Sequence, residues 1–232
     1  MSNYLFLLES RLSRAQLEAL TQVQQAAERA QAQLFLAGGA LRDLLGGFRV
    51  RDLDFSVDGP ALKIARLLDT RLFRVTSTDE HRQSAELLFG GSVTLEIAMC
   101  RSERYAKTGG QPDITRATIQ EDLRRRDFSV NAIAVSLNPA SRGLLLDPNN
   151  GLADIEHKEL RTLHNYSFFD DPARLLRLIR FQARLQYAIE EKTSTQFASA
   201  REAGVEEYIS SRSLLVELGQ LSAEPAAAEA VK

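Results

Sequence analysis

The chain has 232 residues, 44% of them hydrophobic and 26% charged, with a formal net charge of −2 and a single cysteine. That composition suits one or two globular domains with a sizeable core, and it excludes a disulfide framework or an overall basic surface for coating long nucleic acids. No apolar run is long enough to span a bilayer, the N-terminus carries Glu9 and no basic start, and the lone Cys100 fits a reducing compartment, so a cytoplasmic location without a membrane partner is expected.

Leu17, Leu20, Val23, Ala27 and Ala30 recur at helical spacing, which predicts an amphipathic helix from about residue 13 to 31, opened by Ser13 and Gln16 as a capping box. The segment LFLAGGALRDLLGGFRVRDLDFSV (34–57) then reads as strand, Gly-Gly turn, short helix and strand. Gly38 and Gly39 let backbone N–H groups approach phosphate oxygens, and the helix start adds partial positive charge. Asp52 and Asp54 are two apart on a strand, so they share a face, while Leu53, Phe55 and Val57 turn to the core. Paired carboxylates repel, and a hard cation such as Mg²⁺ relieves that repulsion. Each piece alone is common in turns and at strand edges; their order and spacing give them weight.

Pro60 opens a further helix, ALKIARLLDT, and strand signals follow at 72–75, 85–89 and 93–99. On the last of these, Glu96 falls opposite Val93, Leu95, Ile97 and Met99. It reads equally as a third carboxylate, acting on a substrate hydroxyl or a metal, and as the solvated face of an edge strand. Residues 108–118, with Gly109, Gly110 and Pro112, read as a loop. QEDLRRRDFSVNAIA sets Arg124–Arg126 beside Asp127 and Asn131. Guanidinium forks suit phosphate and sugar oxygens, and a carboxylate can accept from a sugar hydroxyl; a solvated helix end would also carry such cations. The histidines His81, His157 and His164 show no metal-site spacing.

After DPNNG (147–151) the pattern becomes helical, which places a boundary near residue 165 between a mixed part (1–165) and a helical part (166–232). Asp171-Pro172 is the N-cap and first position of a helix on which Arg174, Arg177, Arg180 and Arg184 fall within an arc of about 120°. Leu175, Leu178, Phe181 and Leu185 occupy the packing side. Four arginines in one stripe point to an anionic ligand or RNA, although Asp171 also has a plain role as a cap. The tail SAEPAAAEAVK reads as helical or frayed and offers no chemistry.

Over roughly residues 30–190 these motifs, in this order, resemble the class II tRNA nucleotidyltransferase (CCA-adding enzyme) and bacterial poly(A) polymerase family. The resemblance implies an α/β fold: a polymerase-beta-like nucleotidyltransferase head with a small mixed, mostly antiparallel sheet, followed by an all-helical neck. AGGALRD with RDLDFSV resembles the family's first motif, which implies that Gly38, Gly39 and Arg42 take the triphosphate and that Asp52 and Asp54 are the catalytic metal ligands. DLRRRDFSVNAIA resembles the second, with Arg126 and Asp127 checking the ribose. LLDPNNGLADIEHKELRTL resembles a hinge-like third motif. DDPARLLRLIRF resembles the fourth, in which Asp171 and Arg174 would hydrogen-bond the Watson–Crick edge of CTP or ATP while Arg177 and Arg180 support the nucleotide.

The chain departs from the family pattern at Asp170, where Glu is usual, at Ser211-Arg212, where Glu-Arg is usual, and near HRQSA, where Phe-Gly-Thr is missing. The loop between Tyr105 and Glu121 has the length found in full CCA-adding enzymes, whereas members that add only CC have it shortened. The expected reaction is Mg²⁺-dependent, template-independent transfer from CTP and ATP to a tRNA 3′ end. The expected unit is a head and neck that holds tRNA weakly without later helical domains. A poly(A) polymerase, or a nucleotide-binding head inactive without missing domains, remains as an alternative, and oligomeric state is not legible.

Overall fold

The computed structural model describes residues 3–224 and 226. The tail reading beyond Glu224 therefore lies, apart from Ala226, outside the described residues. Helix α1 (Asn3–Arg11) leads into α2 (Arg14–Ala30), whose N-terminus is closed by the Ser13–Gln16 capping box. Its buried residues include Ala19, Leu20, Val23, Ala27 and Ala30, the stripe that helical spacing predicts. Strand β1 (Gln33–Ala37), helix α3 (Gly38–Leu45), strand β2 (Leu53–Asp58) and helix α4 (Ala61–Leu67) follow. Next come β3 (Phe73–Asp79), β4 (Ser84–Phe89), β5 (Val93–Met99), β6 (Arg101–Arg104) and β7 (Asp113–Arg116).

The loop expected over 108–118 is thus partly strand. Ile114 and Thr115 belong to β7, which pairs antiparallel with β6 in a separate hairpin. Beyond it lie α5 (Ile119–Arg124), a 3₁₀ turn at Ser129–Asn131, β8 (Ala134–Ser136), β9 (Leu145–Leu146), α6 (Gly151–His157) and β10 (Glu159–Leu160). The last part holds α7 (Ser167–Asp170), α8 (Ala173–Leu185), β11 (Ala188–Ile189), α9 (Glu191–Glu202) and α10 (Ser211–Ser222). It is helical except that β11 pairs in parallel with β10 and so stitches the helices back to the preceding part.

The main sheet has seven strands in the order β3-β4-β5-β2-β1-β8-β9. Its neighbours are antiparallel except β2 and β5, which run parallel. That register sets Leu53 beside Leu95 and Phe55 beside Ile97, all buried, and on alternate positions Asp54 beside Glu96. One face of the pair is therefore core and the other carries carboxylates, the consequence of a side-chain period of two. Strand β5 lies inside the sheet between β4 and β2, so Glu96 does not sit on an edge strand.

A single large cluster of buried residues runs from Leu8 to Val205 and joins the sheet to α2, α4 and α8. A smaller one, with Phe35, Cys100, Ile119 and Leu123, lies under α5. Where α6 begins, a Cβ on Gly151 would stand 2.1 Å from the Ser129 carbonyl oxygen. Only glycine lets the DPNNG turn close against the 3₁₀ turn that follows Asp127. Among the described residues no helix is long and apolar enough to cross a membrane.

Candidate active site

The sheet face that carries Asp54 and Glu96 opens into a cavity of about 610 Å³, within the size range of small-molecule sites. Its walls come from α3, β2, β5, the segment after α5, and α8. Gly38, Gly39, Arg42, Asp52, Asp54, Glu96, Arg126, Asp127, Asn131, Asp171, Arg174, Arg177 and Arg180 all line it, so the structure brings together every site residue expected from the sequence.

At its floor, Asp54 accepts from the Ala40 N–H at 3.1 Å, which pins the carboxylate against the start of α3. Gly38 has φ +66°, and a Cβ there would stand 2.8 Å from Arg126 Nη1. At Gly39 it would stand 3.1 Å from Asp54 Oδ2. The glycine pair is thus needed to admit Asp54 and Arg126 to the helix start. The Gly38 N–H itself is engaged by the Ile133 carbonyl at 3.3 Å.

Asp52, Asp54 and Glu96 all have carboxyls pushed above the usual range. For Asp52 the cause is partial burial, opposed by Arg184 and Arg51. For Asp54 it is burial, opposed by the Ala40 N–H and Arg126 and reinforced by Asp52. For Glu96, which is open to cleft water but hemmed in by its walls, desolvation comes first and the Asp54 charge second. Such a set of hard oxygen donors fits a divalent cation. Among the described residues no three His, Cys, Asp or Glu side chains form a ready-made metal cage.

The cationic residues are held by the chain itself. Arg42, 3% exposed, donates to Asp43 at 2.7 and 2.9 Å and to Asn131 Oδ1 at 2.7 Å. Its guanidinium lies 4.9 Å from the Phe181 ring centroid, and that of Arg180 lies 4.5 Å from the same ring. Arg126 donates to Ser56 Oγ at 2.8 Å, to Asp122 at 3.0 Å and to the Asn131 carbonyl at 3.2 Å. Arg124 is exposed, whereas Arg125 donates to Asp122 at 2.6 Å and to Glu103 at 3.1 Å. The cluster is therefore largely internal and not a solvated helix end.

The stripe on α8 is likewise neutralised from within. Arg177 meets Asp127, Asp171 and Glu217; Arg180 meets Glu217; Arg184 meets Asp43 and Glu224. The stripe is one half of a largely buried ion network and at the same time a wall of the cavity. Asp171 does cap α8: its Oδ1 accepts from the Ala173 N–H at 3.2 Å, and Pro172 already has helical angles. Arg174, 4% exposed, donates to Ser167 Oγ at 2.8 Å and to the Arg125 carbonyl at 3.0 Å. Its Nε is buried without a hydrogen-bond partner, 3.7 Å from the Asp171 carboxylate. A buried orphan donor in a cavity wall calls for an acceptor from outside the chain.

Asp43, Asp122, Glu103, Glu217 and Glu224 were not foreseen as site residues, yet they hold the arginines. The pairs Asp43–Arg184 and Glu217–Arg180 span 141 and 37 residues, and no local spacing announces them.

Burial alone would push Asp127 up; Arg177, Asn131 and Arg174 pull it down to about 2. A depressed carboxyl gives stability that is present above its unfolded pKa of about 3.9 and lost as pH falls through the folded value. The stability gap between wild type and Asp127→Asn is therefore expected to be on the order of 2 kcal/mol at pH 7. It should close between about pH 4 and pH 2, as read by denaturant unfolding across pH. A gap that stays constant through that window would remove the ionised Asp127 from the network.

Comparison with known proteins follows the same lines. Residues 34–161 match the family described as the poly A polymerase head domain. An A-adding tRNA nucleotidyltransferase of Halalkalibacterium halodurans is 38% identical over 192 residues, covering 83% of this chain and 45% of that protein. A CC-adding tRNA nucleotidyltransferase of Deinococcus radiodurans is 37% identical over 157 residues, covering 66% of this chain and 41% of that protein. A solved CCA-adding enzyme in complex with CTP superposes with a TM-score of 0.82 at 30% identity, covering 98% of this chain and 53% of that one. The chain belongs to the poly(A) polymerase head-domain family, to which the heads of class II tRNA nucleotidyltransferases belong. It spans less than half the length of these two curated relatives.

Proposed function

We propose that this chain is the catalytic head and neck of an enzyme that transfers nucleotides from CTP and ATP to the 3′ end of tRNA without a template. The observation that carries the reading is the convergence of Asp52, Asp54 and Glu96 on one wall of the cavity with Asp171 and the orphan Nε of Arg174 on another. Asp52 and Asp54 hold the divalent cation, taken to be Mg²⁺. When bound, that cation lowers the pKa of the attacking hydroxyl and offsets charge on the phosphates.

The reaction joins the 3′ oxygen of the RNA end to the α-phosphorus of the nucleotide and releases pyrophosphate. Gly38, Gly39, Arg42 and Arg126 face the triphosphate. Asp127, oriented by the Asn131 amide at 2.9 Å, accepts from the ribose hydroxyl. Asp171 accepts from the base and Arg174 donates to it, so side chains do the work of a template. Glu96, in register with Asp54, is assigned to the primer hydroxyl. Because every group is fixed before the nucleotide enters, rate comes from positioning and from charge already arranged around the phosphates.

A narrower reading, addition of the terminal A alone, is favoured by the A-adding name of the Halalkalibacterium halodurans relative. Incubation with Mg²⁺, labelled CTP or ATP, and tRNA lacking CCA, CA or A separates the cases. Addition of C, C, A and a stop supports CCA addition. One A on tRNA already ending in CC supports the narrower reading, and a long A tail marks a poly(A) polymerase. Failure to bind CTP or ATP by calorimetry would overturn all of them.

A further inference from the structure

Of the arginines that line the cavity, Arg82 alone forms no ion pair with the described residues; each of the others meets a carboxylate of the chain. It is exposed, on the turn between β3 and β4, within the HRQSA stretch where the chain departs from the family pattern. The backbone beneath this unanswered charge is fixed. The Arg82 N–H donates to Asp79 Oδ1 at 2.8 Å, and its carbonyl accepts from Arg101 Nη1 at 3.5 Å. On one side His81 Nε2 lies 3.2 Å from the Pro112 carbonyl oxygen, which ties the turn to the β6–β7 hairpin. On the other, Gln83 takes the left-handed region at φ +52°. Its amide donates to the Glu80 carbonyl at 2.7 Å, and its carbonyl accepts from the Met99 N–H at 3.1 Å. A non-glycine residue in that region persists where its surroundings hold it, and such residues gather at binding sites.

The position of Arg82 selects between the two anions of the proposed reaction, the nucleotide's triphosphate and the RNA backbone. The groups that face the nucleotide come from α3, the segment after α5, and α8. Strand β5, which carries Glu96, stands between β2 and β4, and Arg82 arrives from the β4 side. Ser84, at the start of β4, is in register with Ala98, which lines the cavity two residues beyond Glu96. We propose that Arg82 grips a backbone phosphate of the RNA near its 3′ end and so steadies the strand whose terminal hydroxyl meets Glu96. A guanidinium fork suits a phosphate, and this one has no internal ion pair to give up first. Contacts of this kind set the register of a nucleic acid and carry no sequence information. The inference rests on the transfer reading above.

The test is fluorescence-anisotropy titration of labelled tRNA lacking its terminal A with the 232-residue chain, repeated from low to moderate monovalent salt. Calorimetric titration with ATP in Mg²⁺ buffer runs beside it. Arg82→Ala should weaken RNA binding about five-fold or more at low salt, while ATP affinity stays within about two-fold of wild type. The slope of log K against log salt should become shallower by about 0.7 to 0.9, the signature of one lost phosphate contact. Arg82→Lys, which keeps the charge, should retain the slope. Because the side chain is exposed, the thermal midpoint of Arg82→Ala should lie within about 2 °C of wild type, which separates lost binding from lost folding. An unchanged slope in Arg82→Ala would overturn the inference. So would a loss of ATP affinity in place of RNA affinity, which would assign Arg82 to the triphosphate. Wild type that binds ATP but no tRNA at low salt would overturn it too, whereas wild type that binds neither has failed the transfer reading itself.

Discussion

Replacing Asp52 or Asp54 by alanine is expected to cost on the order of 1,000-fold or more in nucleotidyl transfer, while the fold survives. Asp54 faces the cavity from β2 and Asp52 from the residue just before it, and neither packs in the core, which the strand builds from Leu53, Phe55 and Val57. The raised carboxyls mean that their surroundings resist the charged form at neutral pH. Removing one negative charge therefore removes a desolvation cost first and some repulsion second. In Asp54→Ala this offsets the loss of the Ala40 N–H acceptor, worth about 1 kcal/mol. A second readout separates chemistry from folding. Mg²⁺ should raise the thermal midpoint of wild type, because a ligand that binds only the native state stabilises it, and should leave either variant unmoved. Substantial transfer by both variants would remove these carboxylates from catalysis.

Glu217→Ala carries the largest expected loss of stability. Glu217 is 5% exposed, and its two oxygens accept separately from Arg177 Nε at 3.0 Å and Arg180 Nε at 2.8 Å. Arg180, 8% exposed, would keep only its stacking on Phe181. Breaking a buried ion pair by removing one partner costs about 3–5 kcal/mol, because the other charge stays desolvated. For a chain of this length that is a fall in thermal midpoint on the order of 10 °C, measured by scanning calorimetry. Glu217→Gln keeps an acceptor and the side-chain shape, so it should fall between alanine and wild type. A midpoint within about 2 °C of wild type for Glu217→Ala would mean that water solvates Arg180 and that the pair contributes little.

The parts of the site that were legible in the sequence are those whose signal is local. Asp52 and Asp54 announce themselves by their spacing of two, although β2 begins only at Leu53 and leaves Asp52 just ahead of it; α2 is announced by its capping box and apolar stripe, and α8 by its amphipathic spacing. The strand at 113–116 was hidden because its partner is a short hairpin strand outside the main sheet, with Gly109, Gly110 and Pro112 dominating the local composition. Glu96 was undecided for a different reason. Its face is set by whether β5 is an edge, and that is fixed only when β2 takes its place beside it in parallel. The arginine stripe was legible because a helix displays its charges locally, but its ion pairs were not, because the acids that answer them arrive from α3, the segment after α5, and the last helix. Charge pairing across a fold has no period to read.

That long reach has a consequence for how the protein is made. Arg184 reaches back 141 residues to Asp43, and Glu224 reaches back 173 residues to Arg51, beside the catalytic strand. Contacts of such separation close late, after local helices and hairpins have formed. On a ribosome the sheet can assemble while the last helices are still inside the exit tunnel, but the cavity cannot be completed until those residues emerge. A nascent chain would hold Asp54 in register with Glu96 yet lack Glu217 and Glu224, which answer the arginines of α8. The ion network around α8 is thus complete only when Glu217 and Glu224 have docked.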